Sequence, residues 1–242
     1  MTNFVDTEAN DTISSVKEIA MAEHVVKIIS SQYVTHDVKR FQIEKPKGYS
    51  FIPGQAADMA INTPALKSEL RPFTFTGLNH WEFLELTIKI YRDHNGVTKE
   101  LEKLKKGDEL VISNPWGAIH YKGPGVFIAG GAGITPFLSI FRALDYDRKI
   151  EGNTLIFSNK TYDDIILGDE LKKLLKDKYY NILTRQHVVG FLDKRLDQNM
   201  LIDLVRDFDQ YFYVCGPDKF VTEVSQHLAN LGAKADSVVI EK

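Results

Sequence analysis

Cysteine is nearly absent: Cys215 is the single one in 242 residues. An intramolecular disulfide cannot form, and a cysteine-ligated iron–sulfur cluster, which usually takes four thiolates, is excluded as well. One thiol fits a reducing, cytoplasmic setting better than an oxidising one. A surplus of positive charge is also missing. The chain carries 30 Lys and Arg against 33 Asp and Glu, a net charge of −3, so it lacks the basic footprint that non-specific nucleic-acid binding requires. No apolar run approaches the ~20 residues of a membrane-spanning helix, and no metal is expected. There are no internal repeats and no low-complexity tract. The opening stretch MTNFVDTEANDTISSVKEIA has neither the basic nor the apolar region of a secretory signal. Asp11 can cap a short helix with Ile13, Val16 and Ile19 on one side. Residues 1–22 therefore read as an appendage, or as a leader ahead of a start at Met21.

What is present falls into two stretches with different hydrophobic periods. From residue 23 to about 115, HVVKIISSQYV, DVKRFQIEK, AADMAIN, FLELTIKIYR and DELVIS are short β-branched or alternating runs. Turn signals such as Pro53-Gly54 and Gly107-Asp108 separate them. About six short strands predict a small closed barrel or a sandwich. One brief helix is expected from Val97, with Leu101 and Leu104 at helical spacing. From Pro124 onward, strands alternate with helices. GVFIA, TLIFS, YNILT, YFYVC and DSVVI are the strands. Phe137, Ile140, Phe141 and Leu144 recur at i, i+3, i+4 and i+7, the apolar face of the first helix. Helices around Leu171–Leu175, Met200–Val205 and Phe220–Leu231 follow. Five apolar strands with four helices predict a doubly wound parallel sheet. The Pro- and Gly-rich join NPWGAIHYKGPG sets a boundary near residue 120 and gives domains 23–120 and 121–242.

GGAGITP, residues 130–136, follows the first strand of the second half. Gly131 and Gly133 lack a Cβ, so a phosphate can approach the backbone there. The helix that follows offers unpaired N–H groups and a positive dipole end. Pro136 is compatible with the first helical turn, where its missing N–H has no intrahelical partner to lose, and Thr135 adds a hydroxyl. A tight turn without a ligand is the alternative. Cys215-Gly216-Pro217 ends the fourth strand of the same half, at the carboxyl edge of the sheet where ligands of such folds bind; a small core residue is the other reading of Cys215.

Together with the first half, these residues resemble the ferredoxin–NADP⁺ reductase superfamily of flavin-dependent NAD(P)H oxidoreductases, over about residues 23 to 242. The resemblance implies a six-stranded antiparallel Greek-key flavin barrel, then a Rossmann-like five-stranded parallel NAD(P) domain. Arg71-Pro72-Phe73-Thr74 matches the family's flavin strand motif. It implies that Arg71 holds the flavin pyrophosphate with its planar fork, that an aromatic lies against the isoalloxazine, and that the Thr74 hydroxyl approaches flavin N5. Phe73 stands where the family has tyrosine, which keeps the ring and loses a phenol hydrogen bond. Lys89 and Tyr91 match the next flavin strand, and Gly96, Val97 and Thr98 the helix start that takes the other side of the pyrophosphate. Two pyrophosphate-directed elements favour FAD over FMN. GGAGITP matches the nicotinamide-nucleotide loop, and Cys215-Gly216-Pro217 the element that sets a cysteine beside the nicotinamide; Thr74 and Cys215 are the expected catalytic residues.

Ser158 and Lys160 open SNKTYDDIILGDEL, which is similar to the ribose-side stretch of NADH-using members. Thr184-Arg185 sits where NADPH-using members bind a 2′-phosphate, and Lys160 can reach such a phosphate too, so the balance leans to NADPH with NADH open. Surface charge is the plain reading of Lys160 and Arg185. No aromatic ends the chain, unlike plant-type members. The family implies a separate small electron carrier, ferredoxin or flavodoxin. Lys99, Lys103, Lys105 and Lys106 either steer an acidic carrier or form a solvated helix face. A reductase for an oxygenase or small acceptor, and a flavin- or nucleotide-binding regulatory subunit, are the alternatives.

Overall fold

The computed structural model describes residues 23–93, 96–117 and 119–240; the helix expected within residues 11–20 lies outside them. The first half is an antiparallel sheet of β1 (His24–Tyr33), β2 (Val38–Glu44), β3 (Ala56–Ile61), β4 (Arg71–Thr74), β5 (Phe83–Lys89) and β6 (Glu109–Ile112), in the order β4-β3-β6-β1-β2-β5. An isolated bridge between Phe75 and Leu86 brings the end of β4 back to β5 and nearly closes the barrel. Alternation builds it: along β1, Val26 and Ile28 point inward while Val25, Lys27 and Ile29 face out. Phe41, Ile43, Met59, Phe75, Leu84, Leu86 and Leu110 fill the interior. Helix α1 (Val97–Leu101) is shorter than its pattern, and Leu104 packs on the barrel from beyond its end.

The second half is a parallel sheet of β7 (Gly125–Gly130), β8 (Thr154–Asn159), β9 (Tyr179–Leu183), β10 (Tyr211–Cys215) and β11 (Val238–Ile240), ordered β11-β10-β7-β8-β9. Every residue of β7 is buried, as a central parallel strand requires. Helices α2 (Thr135–Tyr146), α3 (Gly168–Leu175), α4 (Gln198–Leu204) and α5 (Asp218–Asn230) connect the strands. Strand order runs outward in both directions from β7 and β10, so the topological switch point lies between them. One core joins this sheet to α2 and α3 around Phe127, Phe137, Phe141 and Tyr213. Phe127 stacks on Tyr213 at 4.2 Å between ring centroids, a pairing worth about 0.5–1.5 kcal/mol beyond burial alone. Val38 and Ile119 from the barrel side belong to the same cluster, so the core is continuous across the two sheets. The Tyr213 hydroxyl accepts the N–H groups of Lys122 and Gly123 (2.8 and 3.1 Å) and donates to the Gly123 carbonyl, which pins the chain where it leaves the barrel.

Candidate functional site

The barrel contributes an edge strand. β4 has a partner, β3, on one flank in the sheet order, which is where a strand tolerates Pro72. Thr74 is buried opposite Ala56, Phe73 lies half-buried against the barrel core, and Arg71 and Pro72 are exposed. The Arg71 guanidinium donates to the Leu70 carbonyl at 2.6 Å and to the Glu69 carboxylate at 3.3 Å. Half exposed and held by a surface glutamate, it remains open to a stronger anion. Lys89 is less free: it pairs with Asp37 at 2.7 Å. Burial alone would raise the Asp37 carboxyl, and the hydrogen bond and charge of Lys89 outweigh that and hold it below the usual carboxylate range. Tyr91 is exposed.

Gly96 is the N-cap of α1 in extended conformation, without a side-chain cap, and Val97 and Thr98 form the first turn. The other end of α1 is fixed by a residue that motif reading passes over. Lys39, 6% exposed, donates from Nζ to the Glu102 and Leu104 carbonyls (2.9 and 2.7 Å). A cation at the carbonyl end of a helix is favourable. Burial pushes the Lys39 ammonium below its ordinary pKa, with Glu102 and Asp108 opposing. The signal was a lysine inside the otherwise inward-facing pattern of β2.

In the parallel sheet the two expected loops meet at the switch point. β7 and β10 are hydrogen-bonded neighbours, with Cys215 opposite Ala129. Gly131 has a left-handed backbone, φ +53°, and open space around it. A 3₁₀ turn, Gly131–Ile134, leads into α2, where Thr135 starts the helix and Pro136 lies buried in its first turn. Gly133 has no space at all: a Cβ there would overlap the backbone of Cys215 and Gly216. The absent side chain lets the two loops interlock, which sequence spacing alone does not reveal. Cys215 is 4% exposed and belongs to the core that reaches the barrel; Pro217 is exposed.

Ser158 sits opposite Gly130 at the end of β8. Two residues further, the Arg185 N–H donates to the Lys160 carbonyl at 2.9 Å, and Thr184 donates to Asn159, so Lys160 and Arg185 are brought side by side. Both are exposed, and neither has an ion-pair partner among the described residues. Beside them the Tyr162 ring stands edge-on to Phe191 at 5.5 Å. The four lysines near α1 do not form a uniform positive patch: Lys103 pairs with Glu100 at 2.6 Å, and Asp108 accepts the Lys105 N–H. The described chain ends in β11 with Ile240 opposite Val214, one residue short of the Cys215 position.

These elements suit a flavin dinucleotide on the barrel and a nicotinamide dinucleotide on the sheet. Exposed guanidinium and helix-start N–H groups match a pyrophosphate on the first, and a left-handed glycine with open space before a helix matches one on the second.

Known proteins agree with this division. A family model described as an oxidoreductase FAD-binding domain matches residues 25–121, and one described as an oxidoreductase NAD-binding domain matches residues 127–226. The NADH-cytochrome b5 reductase 1 of Emericella nidulans is 30% identical over 224 residues, covering 82% of this chain and 71% of that protein. The NADH–cytochrome b5 reductase 1 of Arabidopsis thaliana is 28% identical over 231 residues, covering 85% and 79%. Among solved structures, a ferredoxin NADP⁺ reductase from Neisseria gonorrhoeae with bound FAD and NADP has the same fold, with a TM-score of 0.79 at 19% identity over 90% of this chain and 97% of that one. The CS-b5R domains of human Ncb5or give a TM-score of 0.81 at 23% identity over 93% and 70%.

Proposed function

The chain belongs to the ferredoxin–NADP⁺ reductase superfamily of FAD-dependent NAD(P)H oxidoreductases, and from that premise we propose that it passes electrons from NADH to a small haem protein of the cytochrome b5 type. The interlocked loops at the switch point, Gly131–Pro136 against Cys215-Gly216, carry the reading on the structural side. The curated relatives, named for NADH and cytochrome b5, support the donor and acceptor in place of NADPH and of the ferredoxin or flavodoxin expected from the superfamily at large.

When bound, FAD would supply the redox chemistry that links a two-electron hydride donor to a one-electron acceptor. The protein's part is to bind and orient. Arg71 and the N–H groups at Gly96–Thr98 would hold the flavin pyrophosphate, and Phe73 and Thr74 would lie against the ring. Gly131, Gly133 and Thr135 cradle the nucleotide pyrophosphate at the start of α2. Cys215, with Gly216 and Pro217, would form the floor for the nicotinamide, held in place by its burial in the sheet's core. Ser158, Lys160 and Arg185 flank the ribose.

Arg71→Ala is expected to weaken FAD binding about tenfold to a hundredfold, the worth of a hydrogen bond to a charged group. Equilibrium dialysis of flavin against the variant checks it, and unchanged affinity removes Arg71 from the site. Lys160 and Arg185, adjacent and without an ion-pair partner among the described residues, favour NADPH as a second reading of the donor. Steady-state comparison decides: kcat/KM for NADH above that for NADPH supports the first reading, and the reverse order, lost in Lys160→Ala/Arg185→Ala, supports the second. The acceptor is tested by NADH-driven reduction of a soluble cytochrome b5 beside a ferredoxin and a flavodoxin. Faster reduction of either iron–sulfur protein or flavodoxin overturns the haem-protein assignment, and a colourless protein that takes up no FAD overturns the flavoenzyme itself.

A further inference from the structure

Helix α2 begins at the nucleotide loop and runs along the barrel. Its positions Ser139, Arg142 and Tyr146, spaced i, i+3 and i+7, share one face. All three meet the barrel. Ser139 Oγ accepts the Gly54 N–H at 3.0 Å, and the Tyr146 ring lies 4.4 Å from that of His80. Between them the Arg142 side chain, 9% exposed, makes four hydrogen bonds. Its Nη1 donates to the Thr76 carbonyl (2.7 Å) and to Glu85 Oε1 (2.6 Å), while Nε and Nη2 fork onto the Glu170 carboxylate (2.6 and 2.8 Å). The indole of Trp81 stands 5.5 Å from the guanidinium. Burial opposes the charge, and Glu170 and Glu85 outweigh it, so the guanidinium is held above its ordinary pKa.

The three groups it joins are not equivalent. Thr76 follows the flavin motif by two residues and Glu85 is its neighbour on β5, with the Thr76 hydroxyl donating to the same Glu85 oxygen at 3.0 Å. Glu170 lies on α3, in the last residues of the ribose-side stretch itself. Arg142 itself is one and a half to two turns along the helix whose start cradles the nucleotide. A planar fork with fixed donors transmits position where a flexible ammonium does not.

We propose that Arg142 is a positioning residue for hydride transfer: it sets the separation between the flavin strand and the nucleotide loop. The inference rests on the functional reading above and adds a residue that touches neither cofactor. A misplacement of about 1 Å between reacting groups costs on the order of a hundredfold in rate, so loosening this joint reaches the chemistry without removing a binding contact.

The test uses the flavin-loaded protein. Arg142→Met is expected to keep its FAD and to bind NAD⁺, titrated calorimetrically, within about threefold of the parent, while anaerobic flavin bleaching by NADH slows about a hundredfold. The primary isotope effect with NADH deuterated at C4 should become more temperature-dependent, which a loss of stability alone does not produce. Arg142→Lys should fall between the two. Glu170→Gln, which loosens only the α3 side of the fork on a partly exposed carboxylate, serves where Arg142→Met fails to fold, and it should slow bleaching with NAD⁺ affinity retained. Bleaching within about twofold of the parent in the folded variant overturns the proposal, as does a slowing matched by an equal loss of NAD⁺ affinity. A parent protein that neither NADH nor NADPH bleaches overturns the functional reading and this inference together; a parent that bleaches beside an equally fast variant overturns the inference alone.

Discussion

Gly133→Ala is expected to cut the rate of flavin reduction by NAD(P)H at least a hundredfold while leaving the flavin in place. The cause is space, since the backbone at Gly133 is not left-handed. A Cβ would overlap the carbonyl of Cys215 and the N–H of Gly216. Neither can yield readily, because Cys215 closes β10 in register with Ala129 of β7 and the strand is buried from Phe212 to Cys215. The nucleotide loop has to move instead. Overpacking of this kind costs typically about 1–3 kcal/mol, and the larger consequence is geometric: the start of α2 shifts relative to the nicotinamide floor, at about a hundredfold in rate per ångström. Arg71, Phe73 and Gly96–Thr98 are untouched, so flavin content should equal that of the parent. Reduction by dithionite should likewise restore electron transfer to the acceptor at the parent's rate, which isolates the defect to the nucleotide half-reaction. Stopped-flow bleaching at the parent's rate would remove the loop from the nucleotide site.

Much of the architecture was readable because each half obeys one period. Alternation up to residue 115 and strand–helix alternation after it rest on local burial patterns, and those survive in β1 and in α2. The local setting of the candidate site was readable where a motif marks it: Arg71–Thr74 on a barrel strand, and glycines between a buried strand and a helix start. What stayed hidden are the residues whose partners are far away in the chain. Arg142 and Glu85 are 57 positions apart, and Lys39 lies 63 from the carbonyl of Glu102. Each did leave a local mark. Glu85 is a charge inside a run of buried residues, FLELTIK, and a buried charge demands a partner. Ser139, Arg142 and Tyr146 interrupt the apolar faces of α2 at helical spacing. The mark says that a partner exists, and tertiary pairing decides which. Leu104 shows the opposite failure: helical spacing predicted a longer α1, but the chain turns after Leu101 and delivers Leu104 to the barrel core from outside the helix. Donor and acceptor were the least legible, because Lys160 and Arg185 are exposed side chains whose role depends on a ligand rather than on folding.

Gly54→Ala is expected to lower stability by about 3 kcal/mol, toward the lower end of the ~2–6 kcal/mol to which a strained backbone at ~1–3 kcal/mol and overpacking at ~1–3 kcal/mol add up. In a protein of this size that corresponds to a melting temperature lower by roughly 6–12 °C. Gly54 sits in the Pro53-Gly54-Gln55 turn with φ +97°, and its N–H is the donor to Ser139 on α2. A Cβ would overlap the Ile119 carbonyl and press on Ile140 Cδ1 at 3.3 Å, the barrel exit on one side and α2 on the other. The turn therefore packs closely between the barrel exit and α2, and a methyl there presses on both. Gly54→Asn separates the two causes. Asparagine tolerates a left-handed backbone far better than alanine, yet it carries the same Cβ. If close approach dominates, Gly54→Asn should lose nearly as much stability as Gly54→Ala in thermal unfolding of the flavin-free protein. A full recovery in Gly54→Asn would assign the cost to backbone strain alone and remove this turn from the contact between the sheets.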